Sequence, residues 1–393
     1  MTRRAQWLLP DGIDEALPVA AKKMERLRRA LLDQFEAWGY DLVMPATLEY
    51  VESLIPEGDS DLALQTFKII DQLTGRSMGV PADITPQVAR IDAHRLANDQ
   101  PQRLCYLGAT LHTLPDKFAG SRNPLQIGAE LYGDDGIASD AEIVALLLNT
   151  LRVAEIPAVT LELSHMAVFH GICDNAEMAG DFETEVLECL LRKDATTLAS
   201  ILEESDQPLA VRDQLFSLLQ FNGGSEVIDR ARSELQRAPK KIHAALDALE
   251  RLIDLIIARV DEADIHIDLA ELRGYRYHTG VMYAAYTPTI GHAIAWGGRY
   301  DGLGEKFGRN RPATGFSTDL KLLAALSAAD HAVGDRVFAP ADEDPSLLAK
   351  VAELRAGGVC VIQGLSGHDA GAREMGCHKA LVKSGAGWQI EDV

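Results

Sequence analysis

The chain of 393 residues is short of cysteine, of aromatic side chains and of positive charge. Its five cysteines, Cys105, Cys173, Cys189, Cys360 and Cys377, are odd in number, and no two are spaced CxxC. That usage argues against a disulfide framework or a zinc site and for reduced, buried thiols in a cytosol. Lys and Arg number 38 against 59 Asp and Glu, a net charge of −21. A general nucleic-acid binder needs a basic face to neutralise phosphates, and an anionic membrane surface selects the same sign, so both classes are disfavoured. No apolar run approaches the ~18 residues of a membrane helix. The start, Met1-Thr2-Arg3-Arg4 with Trp7 and Pro10 soon after, has no signal-peptide core. The expectation is a cytoplasmic protein. At 47% hydrophobic residues the chain has material for a full core and length for two or three domains.

The periodicity predicts a helix over 18–38, on Ala20, Met24, Leu27, Leu31 and Phe35, ended by Gly39. A short strand follows over 40–44, then a hairpin, 66–71 with 76–80, around Thr74-Gly75. A helix over 86–98, strands over 103–114 and 124–132, a helix over 138–154 and a strand over 159–163 come next. Residues 165–262 read as almost entirely helical, with acidic surfaces and Leu or Ile stripes, which is the pattern of an inserted bundle. Strands resume over 265–269, 281–285 and 293–296, and a helix is expected from Ala313 onward. Residues 330–344, rich in Ala, Asp and Pro, read as a linker or lid. The last fifty residues read as helix 347–356, strand 359–362, helix 371–384 and strand 388–391.

Four segments carry groups that chemistry could use. Asp83 and Thr85 stand two apart before a helix, where capping is the plain alternative. Gln126, Gly128 and Glu130 share one face of an alternating strand, which could equally be a solvated face. Arg273-Gly274-Tyr275-Arg276-Tyr277-His278-Thr279-Gly280 could be a basic hairpin. Gly297-Gly298-Arg299-Tyr300-Asp301-Gly302-Leu303 could be a tight turn, and lacks the Gly-Lys-Ser/Thr of a phosphate-binding loop.

Taken in order, with Pro312-Ala313-Thr314-Gly315-Phe316 after the last, these segments resemble the catalytic core of histidyl-tRNA synthetase, from about Gln6 to Leu326. The resemblance implies an α+β fold: a class II synthetase-like antiparallel sheet flanked by helices. It implies a core over 1–326 with a helical insertion at about 165–262, a linker over 327–345 and a small α/β domain over 346–393. It also implies a histidine pocket. Asp83, Thr85, Gln126 and Glu130 would hold the ammonium and polar edges. Arg273 would face the carboxylate, Tyr277 and His278 would flank the imidazole, and Arg122 survives in the second motif's loop.

The departures bear on function. The second motif's ATP-binding arginine falls at His112, and the acidic residue two later at Leu114. In the third motif, Gly-Leu-Glu-Arg becomes Asp319-Leu320-Lys321-Leu322. Planar guanidinium forks that neutralise phosphate have no neutral substitute. Only about sixty residues follow the core, too few for an anticodon-binding domain. A kept pocket, damaged ATP motifs and a short tail resemble the regulatory subunits of ATP phosphoribosyltransferase. That family implies a chain with no catalytic residues, cofactor or metal of its own. It would activate a short-form catalytic subunit inside a hetero-octamer containing homodimeric units, and transmit feedback inhibition by L-histidine. The alternatives are a divergent histidyl-tRNA synthetase-like ligase and a tRNA-fold sensor.

Overall fold

The computed structural model describes residues 7–393 apart from 56–59, 116–120, 179, 273, 275–277, 329–335, 369 and 386, with backbone alone at 60 and 61. Two compact units divide the chain, Met1–Ala329 and Asp330–Val393.

The first unit is organised by a nine-stranded sheet. In spatial order its strands are Asp41–Val43, Gln102–Ala109, Leu125–Tyr132, Ala313–Asp319, Ala295–Arg299, Val281–Tyr286, Thr160–His165, Asp264–Asp268 and Asn222–Gly223. The six from Gln102–Ala109 to Thr160–His165 are each antiparallel to the next, and the flanking Asp41–Val43 and Asp264–Asp268 join in parallel. Side chains alternate between two faces along each strand. Ile127, Ala129, Phe316, Ala295, Tyr283, Ala285, Leu161, Leu163 and Ile267 fall on one face and form a continuous core with the helices.

The helix Pro18–Ala37 lays Leu27, Leu31 and Phe35 on that face, starting from Pro18 in its first turn, where the missing N–H costs nothing. Lys240–Ile257 does the same with Ile242, Leu246, Leu249, Ile253 and Ile256. The region read as an inserted bundle contains the helices Met166–Asn175, Asp181–Leu191, Ala195–Glu204, Leu209–Ser217, Glu226–Glu234 and Lys240–Ile257. Their apolar stripes merge with the sheet's core rather than closing on themselves. The insertion is also stitched to the sheet edge: Asn222–Gly223 pairs with Asp264–Asp268. Lys193 Nζ and Asn222 Nδ2 donate to the buried Asp268 carboxylate at 2.6 and 3.0 Å.

The helix expected from Ala313 begins seven residues late. Ala313–Asp319 is a strand between Leu125–Tyr132 and Ala295–Arg299, and only Leu320–Leu326 is helical. All but the last residue of that strand are buried, so it shows no polar alternation, and the helical period of Leu320-Lys321-Leu322-Leu323 ran back into it.

The second unit is a four-stranded sheet in the order Cys360–Gln363, Arg336–Ala339, Lys379–Ser384, Gly387–Asp392, with only the last pair antiparallel. The helix Pro345–Ala356, capped by Asp344, buries Leu347 and Val351 against Val337, Ala339, Val361 and Leu381. The stretch 330–344, read as a linker, thus carries a central strand of this sheet. The helix expected over 371–384 is a turn region followed by the strand Lys379–Ser384. Gly376 (φ 66°) interrupts a helical path, and hairpin pairing with Gly387–Asp392 outweighs the local preference. Of the cysteines expected to be buried, Cys360 is exposed. Among the described residues no helix is long and apolar enough to cross a membrane.

Arg299, within the run that could have been a tight turn, is a strand residue with its side chain buried. Its guanidinium donates to Asp140 at 3.1 Å, Asp301 at 3.2 Å, Ser139 at 2.9 Å and the carbonyls of Asp134 and Gly136. It locks the strand Ala295–Arg299 to the first turn of the helix Ile137–Val153. Removing one partner strands the other charge out of water. Arg299→Met should therefore destabilise the chain by about 3–5 kcal/mol in denaturant titration, and the double variant with Asp140→Leu should recover part of that loss.

Candidate functional site

The sheet face opposite the core is open. On it Glu130, Gly315, Gly298, Met282 and Ser164 stand side by side across five strands. One pleat further along, Gly128, Ser317, Trp296, Ala284 and Glu162 form a second row. All of these but Gly298 and Gly128 line a cavity of about 440 Å3, a size suited to small molecules. Its wall includes Asp83, Thr85, Glu271, Gly274, His278 and Tyr300. No lysine or arginine lines it among the described residues.

Glu130 is 1% exposed. The Tyr300 hydroxyl donates to its Oε2, and the Thr85 and Tyr106 hydroxyls, 3.3 Å from each other, lie near it. Burial pushes its carboxyl up to about 8; the hydroxyl bonds pull the other way, and the nearby Asp83 charge adds to the rise. The position demands glycine opposite: a Cβ at Gly315 would lie 1.5 Å from Glu130 Oε2. The same economy recurs at Gly298, where a Cβ would meet the His278 ring at 2.5 Å.

Asp83 and Thr85 sit at the entry to the helix Thr85–Ile91, and Asp83 Oδ1 accepts the Thr85 N–H at 3.1 Å. The same oxygen accepts Gln126 Nε2 at 2.8 Å, while Gln126 Oε1 accepts the Ile84 N–H at 2.9 Å. Gln126 does not line the cavity itself; it orients Asp83, which does. The His278 imidazole is pushed down to about 4 by loss of hydration, so it is neutral at physiological pH, and its backbone N–H donates to Gly274 O at 3.0 Å. Arg122 is not among the lining residues. It donates to the carbonyls of His112 and Asp11, each at 3.0 Å, with its guanidinium over the Phe67 ring. Arg273 and Tyr277 lie outside the described residues.

The arrangement suits a small cation. Carboxylates at Asp83 and Glu130, hydroxyls from Thr85 and Tyr300 and a neutral imidazole can accept from an ammonium and from a polar ring. The positions where the resemblance expects phosphate-binding arginines carry no guanidinium. His112 Nε2 is 2.8 Å from the Ala82 carbonyl, Leu114 is exposed, and Leu322 packs on the core. Asp319, where the third motif has glycine, accepts from the Leu125 and Lys321 N–H groups at 3.0 and 2.9 Å. Among the described residues no group of three His, Cys, Asp or Glu could hold a metal ion.

Several lining residues were not singled out from sequence. Tyr300 lay inside a recognised run but was not assigned a role. Glu162 and Ser164 alternate with Leu161 and Leu163, a signal that could have put them on the polar face. Trp296 carried no sequence signal, since a tryptophan beside two glycines fits core and cavity equally.

A model of the histidyl-tRNA synthetase family matches residues 12–323, and the ATP phosphoribosyltransferase subunit HisZ C-terminal domain matches 334–391. Among curated proteins, the ATP phosphoribosyltransferase regulatory subunit of Thioalkalivibrio sulfidiphilus is 49% identical over 395 residues, covering 100% of both chains. That of Chromohalobacter salexigens is 46% identical, covering 100% of this chain and 99% of its own. Among solved structures, an ATP phosphoribosyltransferase regulatory subunit/histidyl-tRNA synthetase from Bacillus halodurans superposes with a TM-score of 0.82 at 24% identity, over 95% of this chain and 97% of the other. A histidyl-tRNA synthetase from Nostoc gives 0.79 at 20% identity, over 96% of this chain and 91% of the other. The chain therefore belongs to the family of ATP phosphoribosyltransferase regulatory subunits, built on a class II synthetase-like fold.

Proposed function

We propose that this chain binds L-histidine in the Glu130 cavity and, joined to a short-form ATP phosphoribosyltransferase catalytic subunit, activates that subunit in the absence of histidine and restrains it when histidine is bound. The observation that carries the reading is the cavity on a synthetase-like sheet, acidic among its described residues. It keeps acceptors for an ammonium and an imidazole, while the positions that would hold ATP phosphates carry His112 and Leu322. In this reading Asp83, Thr85 and Glu130 hold the ammonium and polar edges, with Gln126 fixing Asp83. Arg273 faces the carboxylate, and Tyr277 and His278 flank the ring. Arg122 ties the backbone at His112 to that at Asp11. The assembly is a cytoplasmic hetero-octamer containing homodimeric units of this chain. The net charge of −21 supports a partner that is protein rather than nucleic acid. Histidine acts only so far as it binds one arrangement of the assembly more tightly than the other.

Calorimetric titration of the purified chain checks the binding half. L-histidine should bind with one site per chain, ATP should give no heat, and Glu130→Ala should lose histidine by tenfold or more, about 1.4 kcal/mol or above. Pyrophosphate exchange in the presence of ATP and histidine would instead identify a ligase. In the reconstituted complex, Glu130→Ala should keep assembly and activation but lose inhibition by histidine; unchanged inhibition removes this cavity from the account.

The pH dependence follows from Glu130. Its carboxyl titrates at an ordinary 4.5 when unfolded and near 8 when folded. Between those values the folded chain holds the extra proton, so this group's contribution to stability falls as pH rises from 4.5 to 8 and is level above. A cationic ligand favours the ionised carboxylate, so histidine affinity should tighten several-fold from pH 6.5 to 8. Glu130→Gln should flatten both the stability slope, read by thermal melts, and this part of the affinity slope, read by calorimetry.

A further inference from the structure

Two residues stand where the resemblance gives the third motif a glycine and a glutamate, and the Glu130 cavity makes no direct use of either. Asp319 takes the place of the glycine and Lys321 that of the glutamate. Neither lines the cavity. Asp319 is the last residue of the strand Ala313–Asp319 and the N-cap of the helix Leu320–Leu326. Its Oδ1 accepts the Lys321 N–H at 2.9 Å and, from the neighbouring strand, the Leu125 N–H at 3.0 Å. One carboxylate oxygen therefore starts the helix and adds a bond beyond the last register pair, Asp319 with Gln126. Glycine has no side-chain acceptor and could make neither bond. Leu125 is followed by Gln126, whose amide is engaged on both sides: Nε2 donates to Asp83 Oδ1 at 2.8 Å, and Oε1 accepts the Ile84 N–H at 2.9 Å. Asp83 lines the cavity. A continuous path of hydrogen bonds and chain thus runs from Asp319 to an acid of the site.

Lys321 carries the connection outward. Its Nζ donates to Asp14 Oδ1 at 2.8 Å. Asp14 is bound to Asn123 in both directions: the Asn123 amide donates to the Asp14 carbonyl at 3.0 Å and accepts the Asp14 N–H at 3.3 Å. The Arg122 N–H donates to Gly12 O at 2.7 Å, and the Arg122 guanidinium to Asp11 O at 3.0 Å. Residues 11–14, exposed at Asp11, Gly12 and Asp14, are in this way fastened to Lys321 and to the entry of the strand that bears Gln126 and Glu130.

We propose that Asp319 and Lys321 are positioning residues of the amino-acid site: Asp319 fixes Leu125 and Gln126, and through them Asp83, while Lys321 ties the same strand entry to residues 11–14. The proposal rests on the reading of the cavity as a histidine site. An acid that meets an ammonium binds more tightly when it is held in place beforehand, because ordering it on binding subtracts from the affinity. The coupling is reciprocal: where an ordered 11–14 segment favours the bound arrangement, bound ligand favours an ordered segment. Occupancy of the cavity then becomes readable at the protein surface, at Asp11, Gly12 and Asp14.

The full-length chain is titrated with L-histidine by calorimetry, and hydrogen exchange is followed over 11–14 and 122–126 with and without saturating L-histidine. Both measurements are made on the wild type and on Asp319→Ala, Asp319→Asn and Lys321→Met, with thermal melts to show that each is folded at the working temperature. Asparagine keeps the acceptor oxygen that alanine removes, and methionine keeps the stem of Lys321 without its ammonium. Asp319→Ala should weaken histidine binding about fivefold, the effect of one hydrogen bond, and Asp319→Asn should come back to within about twofold of the wild type. Histidine should slow exchange over 11–14 in the wild type, and Lys321→Met should remove that response. A purely structural role would lower the melting temperature and leave both the affinity and the response to histidine unchanged. Equal affinity in the wild type and Asp319→Ala, or no rescue by asparagine, overturns the positioning role and leaves the histidine reading standing. Exchange over 11–14 that ignores histidine in the wild type, or responds equally in Lys321→Met, overturns the tie; this arm stands on its own if Asp319→Ala does not fold. If the wild type gives no heat with histidine, the proposal and the reading beneath it fall together.

Discussion

The close fit of Glu130 against Gly315 is the contact on which the site depends. A carboxyl group is held out of water in the middle of a sheet, and the neighbouring strand can pass it only because residue 315 has no side chain. The enclosure raises the carboxyl's proton affinity, and the Tyr300 hydroxyl bonds it while those of Thr85 and Tyr106 lie close by. Those hydroxyls come from three separate stretches of chain, and two of their residues, Thr85 and Tyr300, are part of the cavity wall.

The same economy divides the two faces of the sheet. Where side chains are large and apolar, the helices pack and the core is dense. Where they are glycine, alanine and serine, the floor stays low and a cavity remains. Chemistry and stability are thus assigned to opposite sides of the same strands. Arg299 shows the division: it lies in the most recognisable run of the sequence, yet its guanidinium is used up in anchoring the helix Ile137–Val153. A preserved motif of this kind reports the scaffold.

Much of this was legible before any coordinates. Alternation at Gln126, Gly128 and Glu130 marked the correct face, and the order of the four segments pointed to the fold and the family. What failed has a physical cause. All but the last residue of Ala313–Asp319 are buried, and its cavity-facing residues Gly315 and Ser317 are small, so it presents no clear alternation to read, and a helix-forming sequence follows it at once. Lys379–Ser384 is a strand because of a hairpin partner that local preference does not contain. Arg122, assigned to the ligand by position in a motif, is turned to the carbonyls of Asp11 and His112, a choice made by segments more than a hundred residues apart in one case. Trp296 was invisible because its neighbours across the strands, Ser317 and Ala284, are what make it prominent, and they are distant in sequence.

The place of Ala313–Asp319 in the middle of the sheet has a consequence for how the molecule is made. Its two neighbours, Leu125–Tyr132 and Ala295–Arg299, are both synthesised before it. Until residues 313–319 leave the ribosome, each of those strands has an open edge facing the other, with backbone donors and acceptors unmatched over most of its length. The long helical insertion can condense earlier, since its contacts are local. The nascent chain therefore passes through an interval with a formed helical region beside a split sheet, and the last strand of the first unit closes the gap from within. A chain terminated just before Ala313 would retain most of the core-forming residues and still lack the piece that joins the two halves.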